Sequence, residues 1–232
     1  MSDGIYSALS GAVAQQRALD VVANNVANAG TVGFRADALA FREALSREPA
    51  GPNPDGLRYV AISQLTTDAR NGPLIQTDNP LDVALQGEGM LAVGTEDGVR
   101  YTRAGSLRLD PEGVLRTAGG QPVLGGPVGE GAPGDAEPLR LPPEAQEIRI
   151  GTDGTVTVDG EDVGRLRIER FAEGALEKEG VTLYAPVDAA QGAPPTDVQV
   201  LQGHLEGANV RPVEGMNELI TASRSFEAFQ RV

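Results

Sequence analysis

Cysteine and tryptophan are absent from this chain of 232 residues, and aromatic residues make up only 4% of it. Without cysteine the chain has no disulfides, no thiolate metal ligands and no nucleophilic thiol. Histidine occurs once, at His204. A catalytic triad would have to use it, and no G-x-S-x-G nucleophile motif accompanies it. We interpret His204 as a structural or surface residue.

Long apolar runs and a signal peptide are also missing. The first twenty residues, MSDGIYSALSGAVAQQRALD, lack the basic start, the apolar middle and the cleavage site of a secretory signal. No stretch approaches the roughly 20 apolar residues that a membrane-spanning helix requires. We expect no membrane insertion, and a chain that is either cytoplasmic or exported without a cleaved signal peptide.

Basic residues are few, since 19 Lys and Arg stand against 33 Asp and Glu and give a formal net charge of −14. Nucleic acids and anionic membranes bind basic faces, so we expect neither as a partner. A surplus of acidic side chains is typical of a soluble surface.

The N-terminal segment has the periodicity of an amphipathic helix with a narrow stripe, as in a coiled-coil seam. The stripe follows a 4-3-4-3 spacing through Ile5, Leu9, Ala12, Gln16, Leu19, Ala23 and Val26. The letters ALAFREAL favour a second short helix between Asp37 and Leu45. EPAGPNPDG at 48–56 predicts a loop.

The middle of the chain, from about Gln76 to Gly203, consists of short strand-like runs separated by glycine and proline turns. Asp153-Gly154 and Asp159-Gly160 are strong hairpin signals. A strand also begins at Tyr59, and residues 125–138 have the composition of a mobile surface loop. We predict an antiparallel sandwich or a barrel-like domain.

Helical periodicity returns after Pro212. Since a lone helix at each end cannot bury its own stripe, we predict that the two pair as a coiled-coil-like core and pack against other chains. The fold class is therefore α+β, mainly β, with an inserted antiparallel β-rich domain. The predicted parts are an N-terminal helical core segment (1–45), a linker and extended segment (46–75), a β-rich outer domain (76–204) and a C-terminal helical core segment (205–232).

Two further patterns carry little weight as binding sites. Gly87, Gly89 and Ala92 match G-x-G-x-x-A, but a strand-like run follows where a dinucleotide site needs a helix. The acidic residues around Asp153 and Asp159 lie at hairpin turns and lack the spacing of a calcium loop. We expect no cofactor, no metal and no catalytic residue, and an enzyme acting through two carboxylates stays open as a remote alternative.

NNVANAGTVGFR, residues 24–35, places three asparagines where a helix prefers Ala or Leu, and then breaks at Gly30. With LSG at 9–11, it resembles the N-terminal signature of the flagellar rod and hook protein family. Many members carry Asn where this chain has Gly30. The matching positions are Asn24, Asn25, Val26, Ala27, Asn28, Thr31, Gly33, Phe34 and Arg35.

Two further blocks resemble the same family. TDNPLDVALQGEGMLAVG with YTRAGSLRLDPEGVL is similar to its middle segment, through Asn79, Pro80, Leu81, Asp82, Gly87, Gly89, Tyr101, Thr102, Arg103 and Gly105. ANVRPVEGMNELITASRSFE is similar to its C-terminal signature, through Asn209, Val210, Val213, Glu214, Met216, Leu219, Ile220, Ala222, Arg224, Phe226 and Glu227.

The resemblance implies a structural subunit of the basal-body rod. The size of the β region and the missing insertion after the first signature favour a proximal rod subunit, with a distal rod or hook-type subunit as the alternative. The implied partners are other rod subunits, copies of the same chain, the flagellar type III export apparatus and a possible export chaperone. The implied location is the rod that spans the periplasm.

The resemblance also implies a subunit interface at Leu9, Asn24, Asn25, Asn28, Thr31, Gly33, Phe34, Arg35, Asn209, Val210, Met216, Leu219, Ile220 and Phe226. Carboxamides both donate and accept hydrogen bonds, so we expect some of the asparagines to reach adjacent subunits, with local capping as the alternative. Gly30 and Gly33 would let the backbone turn sharply, and Phe34 would anchor the turn in an apolar pocket.

Overall fold

A computed structural model describes residues 2–46, 57–127, 137–142, 144–145 and 147–230. The fold is mainly β with one helix near each end, as predicted. The chain divides into two compact units. We call one the helix–hairpin unit (Met1–Gly30, Arg35–Arg70 and Asn209–Val232) and the other the β unit (Thr31–Phe34 and Asn71–Ala208).

The helix–hairpin unit contains two helices and two long strands. Its strands pair antiparallel, from Asp37 opposite Thr67 to Ser46 opposite Leu57, with a bulge between Ala40 and Phe41. The helices contact each other, and α1 also packs on both strands. The elements are α1 (Ser2–Ala27), β1 (Asp37–Ser46), β2 (Leu57–Thr67) and α2 (Pro212–Gln230).

The helix that we predicted between Asp37 and Leu45 is wrong, because these residues form β1. Ala, Glu, Arg and Leu are strong helix formers, which explains the prediction. The same letters also alternate, with Leu39, Phe41 and Leu45 two or four residues apart. Pairing with β2, whose sequence LRYVAISQLTT is rich in β-branched residues, overrides the local propensity.

The buried face of α1 also differs from the predicted narrow stripe. Gln16 and Ala23 of that stripe are exposed, whereas Ala14, outside it, is buried. A coiled-coil seam faces one partner, but α1 packs on α2 and on the hairpin, so it must bury a wider face. Neither described helix has the length and apolar character needed to cross a membrane.

The β unit consists of short strands, all paired antiparallel. One sheet has the order β10-β9-β13-β12-β11 and another has the order β14-β5-β6-β16-β15. Among the described residues, no sheet closes into a barrel. The strands are β3 (Leu74–Gln76), β4 (Val83–Gln86), β5 (Met90–Thr95), β6 (Gly98–Thr102), β7 (Leu107–Leu109), β8 (Leu115–Thr117), β9 (Leu124–Gly126), β10 (Glu137–Pro138), β11 (Ile148–Ile150), β12 (Thr155–Val158), β13 (Glu161–Leu166), β14 (Ile168–Glu169), β15 (Leu176–Glu179), β16 (Leu183–Pro186), β17 (Gln199–Gln202) and β18 (His204–Glu206).

Both predicted hairpins are confirmed. β11 and β12 flank the turn at Gly154, and β12 and β13 flank the turn at Asp159-Gly160, where both residues have positive φ. The predicted loop at 48–56, and residues 128–136 of the predicted loop at 125–138, lie outside the described residues.

An aliphatic core lies inside the β unit. Strands β4, β5, β12 and β17 contribute side chains that are almost fully buried. Its least exposed members are Val83, Leu91, Val93, Leu115, Val123, Val156 and Val200. Burying such side chains is worth about 2 kcal/mol each, so this core can hold the short strands together.

Candidate assembly interface

The structure divides the predicted interface residues between the two units. Thr31, Gly33 and Phe34 belong to the β unit. The helix–hairpin unit holds the others, namely Leu9, Asn24, Asn25, Asn28, Arg35, Asn209, Val210, Met216, Leu219, Ile220 and Phe226.

The three asparagines at the end of α1 form hydrogen bonds within the chain. The Asn25 side chain pairs with the backbone of Asp37: its Nδ2 donates to the Asp37 oxygen at 2.8 Å and its Oδ1 accepts from the Asp37 N–H at 2.9 Å. Asn28 Nδ2 donates to the Asn24 backbone oxygen at 2.9 Å and to Asn24 Oδ1 at 3.1 Å. The Asn28 contact with the Asn24 carbonyl fits the local capping alternative, whereas Asn25 binds the backbone at the start of β1 in the same chain.

Only one of the two glycines after α1 has an unusual backbone. Gly33 has φ +69°, and a Cβ there would lie 2.3 Å from the backbone nitrogen of Ala104. Gly30 has no positive φ, and a Cβ there would meet nothing within 4 Å. Gly30 lies in the turn that follows α1, but its backbone does not require glycine, whereas Gly33 fits a place that only glycine can occupy.

Phe34 is buried, with 1% of its surface exposed. The ammonium group of Lys178, the only lysine of the chain, lies 4.0 Å from the centre of the Phe34 ring. A cation over an aromatic face is favourable when both are shielded from water. The predicted apolar anchor therefore has a charged residue on one side, which sequence reasoning missed because Lys178 lies in distant β15.

Asn209 uses both ends of its carboxamide. Its Oδ1 accepts from the Ala36 N–H at 2.7 Å, and its Nδ2 donates to the backbone oxygens of Asp68 at 3.1 Å and Arg70 at 2.9 Å. The Asp68 carboxylate accepts hydrogen bonds from the Arg70 side chain, and this contact holds the pKa of Asp68 below its ordinary value. Asn209 thus joins three separate segments of its own unit.

A buried ion pair, Arg103 with Glu206, lies inside the β unit. Arg103 Nη1 donates to Glu206 Oε2 at 3.1 Å and to the Leu85 oxygen at 2.8 Å, and Nη2 donates to the Gly87 oxygen at 2.5 Å. Both side chains are at most 2% exposed. Arg103 matched the middle signature, but nothing in the sequence marked Glu206.

An apolar stripe on α2 is exposed. Val213, Met216 and Ile220 are 73%, 55% and 52% exposed. Their spacing of three and four residues places them on one side of the helix. Of the other predicted interface residues on α2, Leu219 and Phe226 are half-buried.

Gly215, which sequence reasoning missed, lies where α2 approaches α1. A Cβ on Gly215 would lie 2.7 Å from Val26 Cγ2, closer than two side-chain carbons approach. Glycine in the interior of a helix lowers its stability. The presence of Gly215 in α2 was therefore a signal in the sequence that another element packs closely against the helix at this position.

The remaining candidates lie in turns or at a strand end of the β unit. Gly87 and Gly89 connect β4 to β5, so a strand and not a helix follows, as we predicted. The His204 ring Nδ1 lies 2.9 Å from the backbone oxygen of Gln202 in a half-buried position. Asp153 accepts hydrogen bonds from the side chain and backbone of Thr155, which lower its pKa as expected for a turn-capping carboxylate.

Three family models match successive parts of the chain. The model described as flagella basal body rod protein matches residues 5–35. The flagellar hook protein FlgE/F/G D1 domain matches residues 84–158, and the flagellar basal body rod FlgEFG protein C-terminal model matches residues 201–232. The first and third matches contain the N-terminal and C-terminal signature blocks, and the second overlaps the middle block from residue 84 onward.

Relatives extend over the whole chain. The flagellar basal-body rod protein FlgF of Caulobacter vibrioides is 34% identical over 236 residues, covering 100% of this chain and 92% of the relative. FlgF of Escherichia coli is 36% identical over 248 residues, covering 100% and 93%. FlgG of Bacillus subtilis is 31% identical over 262 residues, covering 100% and 94%.

These matches confirm the resemblance that the asparagine-rich signature and the two later blocks predict. The relatives are aligned along almost their full length, so the likeness does not rest on one shared domain. The chain belongs to the flagellar basal-body rod protein family.

Proposed function

We propose that the chain is a proximal subunit of the flagellar rod that stacks in a helical array through its terminal helices. The observation that carries the proposal is the full-length similarity to basal-body rod proteins named FlgF. Stacking by a contact that does not close into a ring produces a tube, which would transmit torque and enclose the export channel. The family is structural, and we propose no catalytic role.

The exposed stripe of α2 supports assembly through the terminal helices. Val213, Met216 and Ile220 leave apolar surface in water on a helix whose other face packs within the chain. Covering such surface stabilises an association by roughly 25 cal/mol per Å² of apolar area, before the cost of ordering the partners. We propose that this stripe docks on a neighbouring subunit.

The finer features of the prediction belong to the same proposal. The helices would form the coiled-coil-like core of the subunit, with the β region between them as an inserted domain. We keep the four predicted parts as a proposal: a helical core segment at 1–45, a linker at 46–75, a β-rich outer domain at 76–204 and a helical core segment at 205–232. The exception is residues 37–45, which form a strand and not a helix. The chain would be exported by the flagellar type III apparatus, with an export chaperone as a further partner, and would join the rod in the periplasm. The other predicted interface residues stay predictions.

The test replaces Met216 and Ile220 together by Gln in a strain without its own copy of this chain. We expect the variant to be lost from isolated basal bodies and motility to fall, because the stripe no longer favours docking. The free energy of unfolding of the purified chain should change by no more than about 0.5 kcal/mol, since both side chains are exposed.

The matched control replaces Asn217 and Glu218, two exposed polar residues on the same helix, by Ala. This double variant should be incorporated like the unaltered chain. Normal incorporation of the Met216→Gln, Ile220→Gln variant would refute docking through this stripe. Cross-linking of the incorporated subunit then distinguishes a proximal position from the distal alternative, because the neighbours differ.

A further inference from the structure

The outer edge of β11 lies at one end of the five-stranded sheet of the β unit. In an antiparallel pair every second residue bonds to the partner strand, and the residues between them direct their polar backbone groups away from it. The Glu147 oxygen accepts from the Asp159 N–H at 2.9 Å, so Glu147 bonds on the side of β12. Ile148 and Ile150, one and three positions further on, therefore direct theirs to the outer edge. An open edge of this kind is a template for a strand of another chain.

The side chain of Gln202, on β17, binds both of these residues. Its Nε2 donates to the Ile148 oxygen at 2.9 Å, and its Oε1 accepts from the Ile150 N–H at 3.2 Å. A neighbouring strand would use a backbone N–H and a backbone oxygen for the same two bonds. The carboxamide of Gln202 thus takes the place of a peptide group beside β11.

Further bonds hold Gln202 and β17 in this position. Nε2 also donates to the Pro80 oxygen at 2.8 Å, so the side-chain amide has two acceptors for its two hydrogens. The Val200 N–H donates to the Thr152 oxygen at 2.9 Å, and β17 also pairs with β4. The backbone bond to Thr152 lies two residues beyond Ile150, so it does not cover the groups that Gln202 binds.

We propose that Gln202 closes the outer edge of β11 against strand addition by a second copy of this chain. A second copy fits the edge because it carries the same strand, IRI, whose β-branched isoleucines favour strand pairing. Two such edges can pair with each other in an isologous contact. The inference goes beyond the proposed function, because it concerns a surface through which the chain does not associate, whatever it builds through its helices.

The first test measures whether Gln202 covers the edge. Gln202→Ala is compared in the full chain with Gln199→Ala, which removes an exposed side chain of the same type from the other end of β17. Amide hydrogen exchange, followed residue by residue by NMR, should become about tenfold faster at Ile150 in Gln202→Ala, because this N–H loses its acceptor. Gln199→Ala should leave Ile150 unchanged. Gln202→Met keeps the length of the side chain without its hydrogen bonds, and should behave like Gln202→Ala.

The second test measures whether the opened edge pairs. The same variants are made in the Met216→Gln, Ile220→Gln chain, so that the exposed stripe of α2 does not contribute to association. Sedimentation velocity is run at 1 M NaCl, where charges are screened beyond about 3 Å and the acidic β units repel each other least. We expect Gln202→Ala and Gln202→Met to form dimers at concentrations at which Gln199→Ala is monomeric.

Three results would overturn the proposal. Unchanged exchange at Ile150 in Gln202→Ala would show that the side chain does not protect the edge. Faster exchange at Ile150 without dimers would show that the edge is no pairing surface. Equal acceleration at Ala92, in the middle of β5, would show a general loss of stability. Incorporation into basal bodies is measured separately, so its failure would count against the proposed function and not against this inference.

Discussion

At the scale of single residues, the signature after α1 contains side chains with different physical tasks. Asn25 pairs with a backbone in the same chain, and Gly33 provides a backbone conformation that side chains disfavour. Phe34 is buried under the ammonium group of Lys178. A run of letters that matches a family as one motif therefore combines several independent constraints.

Gly33→Ala should destabilise the chain strongly. The new Cβ would lie 2.3 Å from Ala104 N and 2.4 Å from Arg103 C, in a backbone conformation with positive φ. Left-handed backbone costs about 1–2 kcal/mol and overpacking about 1–3 kcal/mol, so we expect a loss of about 3 kcal/mol in the free energy of unfolding. Urea denaturation measures this loss.

The control for this prediction lies three residues earlier. Gly30→Ala adds a Cβ in open space and should change the free energy of unfolding by no more than about 0.5 kcal/mol. Equal effects of the two substitutions would contradict the assignment of the tight position to Gly33 alone.

At the scale of elements, the end of α1 and the start of β1 are joined by one side chain. The Asn25 carboxamide satisfies both polar groups of the Asp37 backbone at the first position of the strand. β1 has few strand-forming residues, so it depends on this start and on pairing with β2.

Asn25→Ala should therefore destabilise the start of the hairpin. It leaves a half-buried N–H and oxygen without their partner, which costs about 1–2 kcal/mol. Thermal denaturation should show a Tm lower by about 3–6 °C. Asn24→Ala, at an exposed position in the same turn, is the control and should lower Tm by less than about 2 °C. A larger shift for Asn24→Ala would contradict the role given to Asn25.

At the scale of the whole molecule, the negative charge is concentrated in one unit. The β unit holds 23 of the 33 acidic and 10 of the 19 basic residues, a net charge of −13. The helix–hairpin unit is left with −1. The helix–hairpin units of neighbouring copies, which contain the proposed assembly core, therefore repel each other little. The strongly acidic β units of neighbouring copies repel each other.

Self-association of the purified chain should therefore increase with salt. Charges are screened beyond about 10 Å at 0.1 M salt and about 3 Å at 1 M, so the repulsion between β units fades as salt rises. Sedimentation velocity at low and high NaCl measures the effect. Weaker association at high salt would contradict this account, because it would mean that ion pairs between copies drive the contact.

Sequence patterns alone predict the two helices, the antiparallel β region, both Asp-Gly hairpins and the family. Each depends on local periodicity, on turn chemistry or on signature letters that lie close together in the chain. Other features depend on tertiary contacts: residues 37–46 form a strand, α1 buries a wider face than a coiled-coil seam, and Lys178 covers Phe34. Glu206 and Asn209 also form hydrogen bonds with residues more than 100 positions away in the chain. The physical reason is that these features depend on partners distant in sequence, which local patterns do not encode.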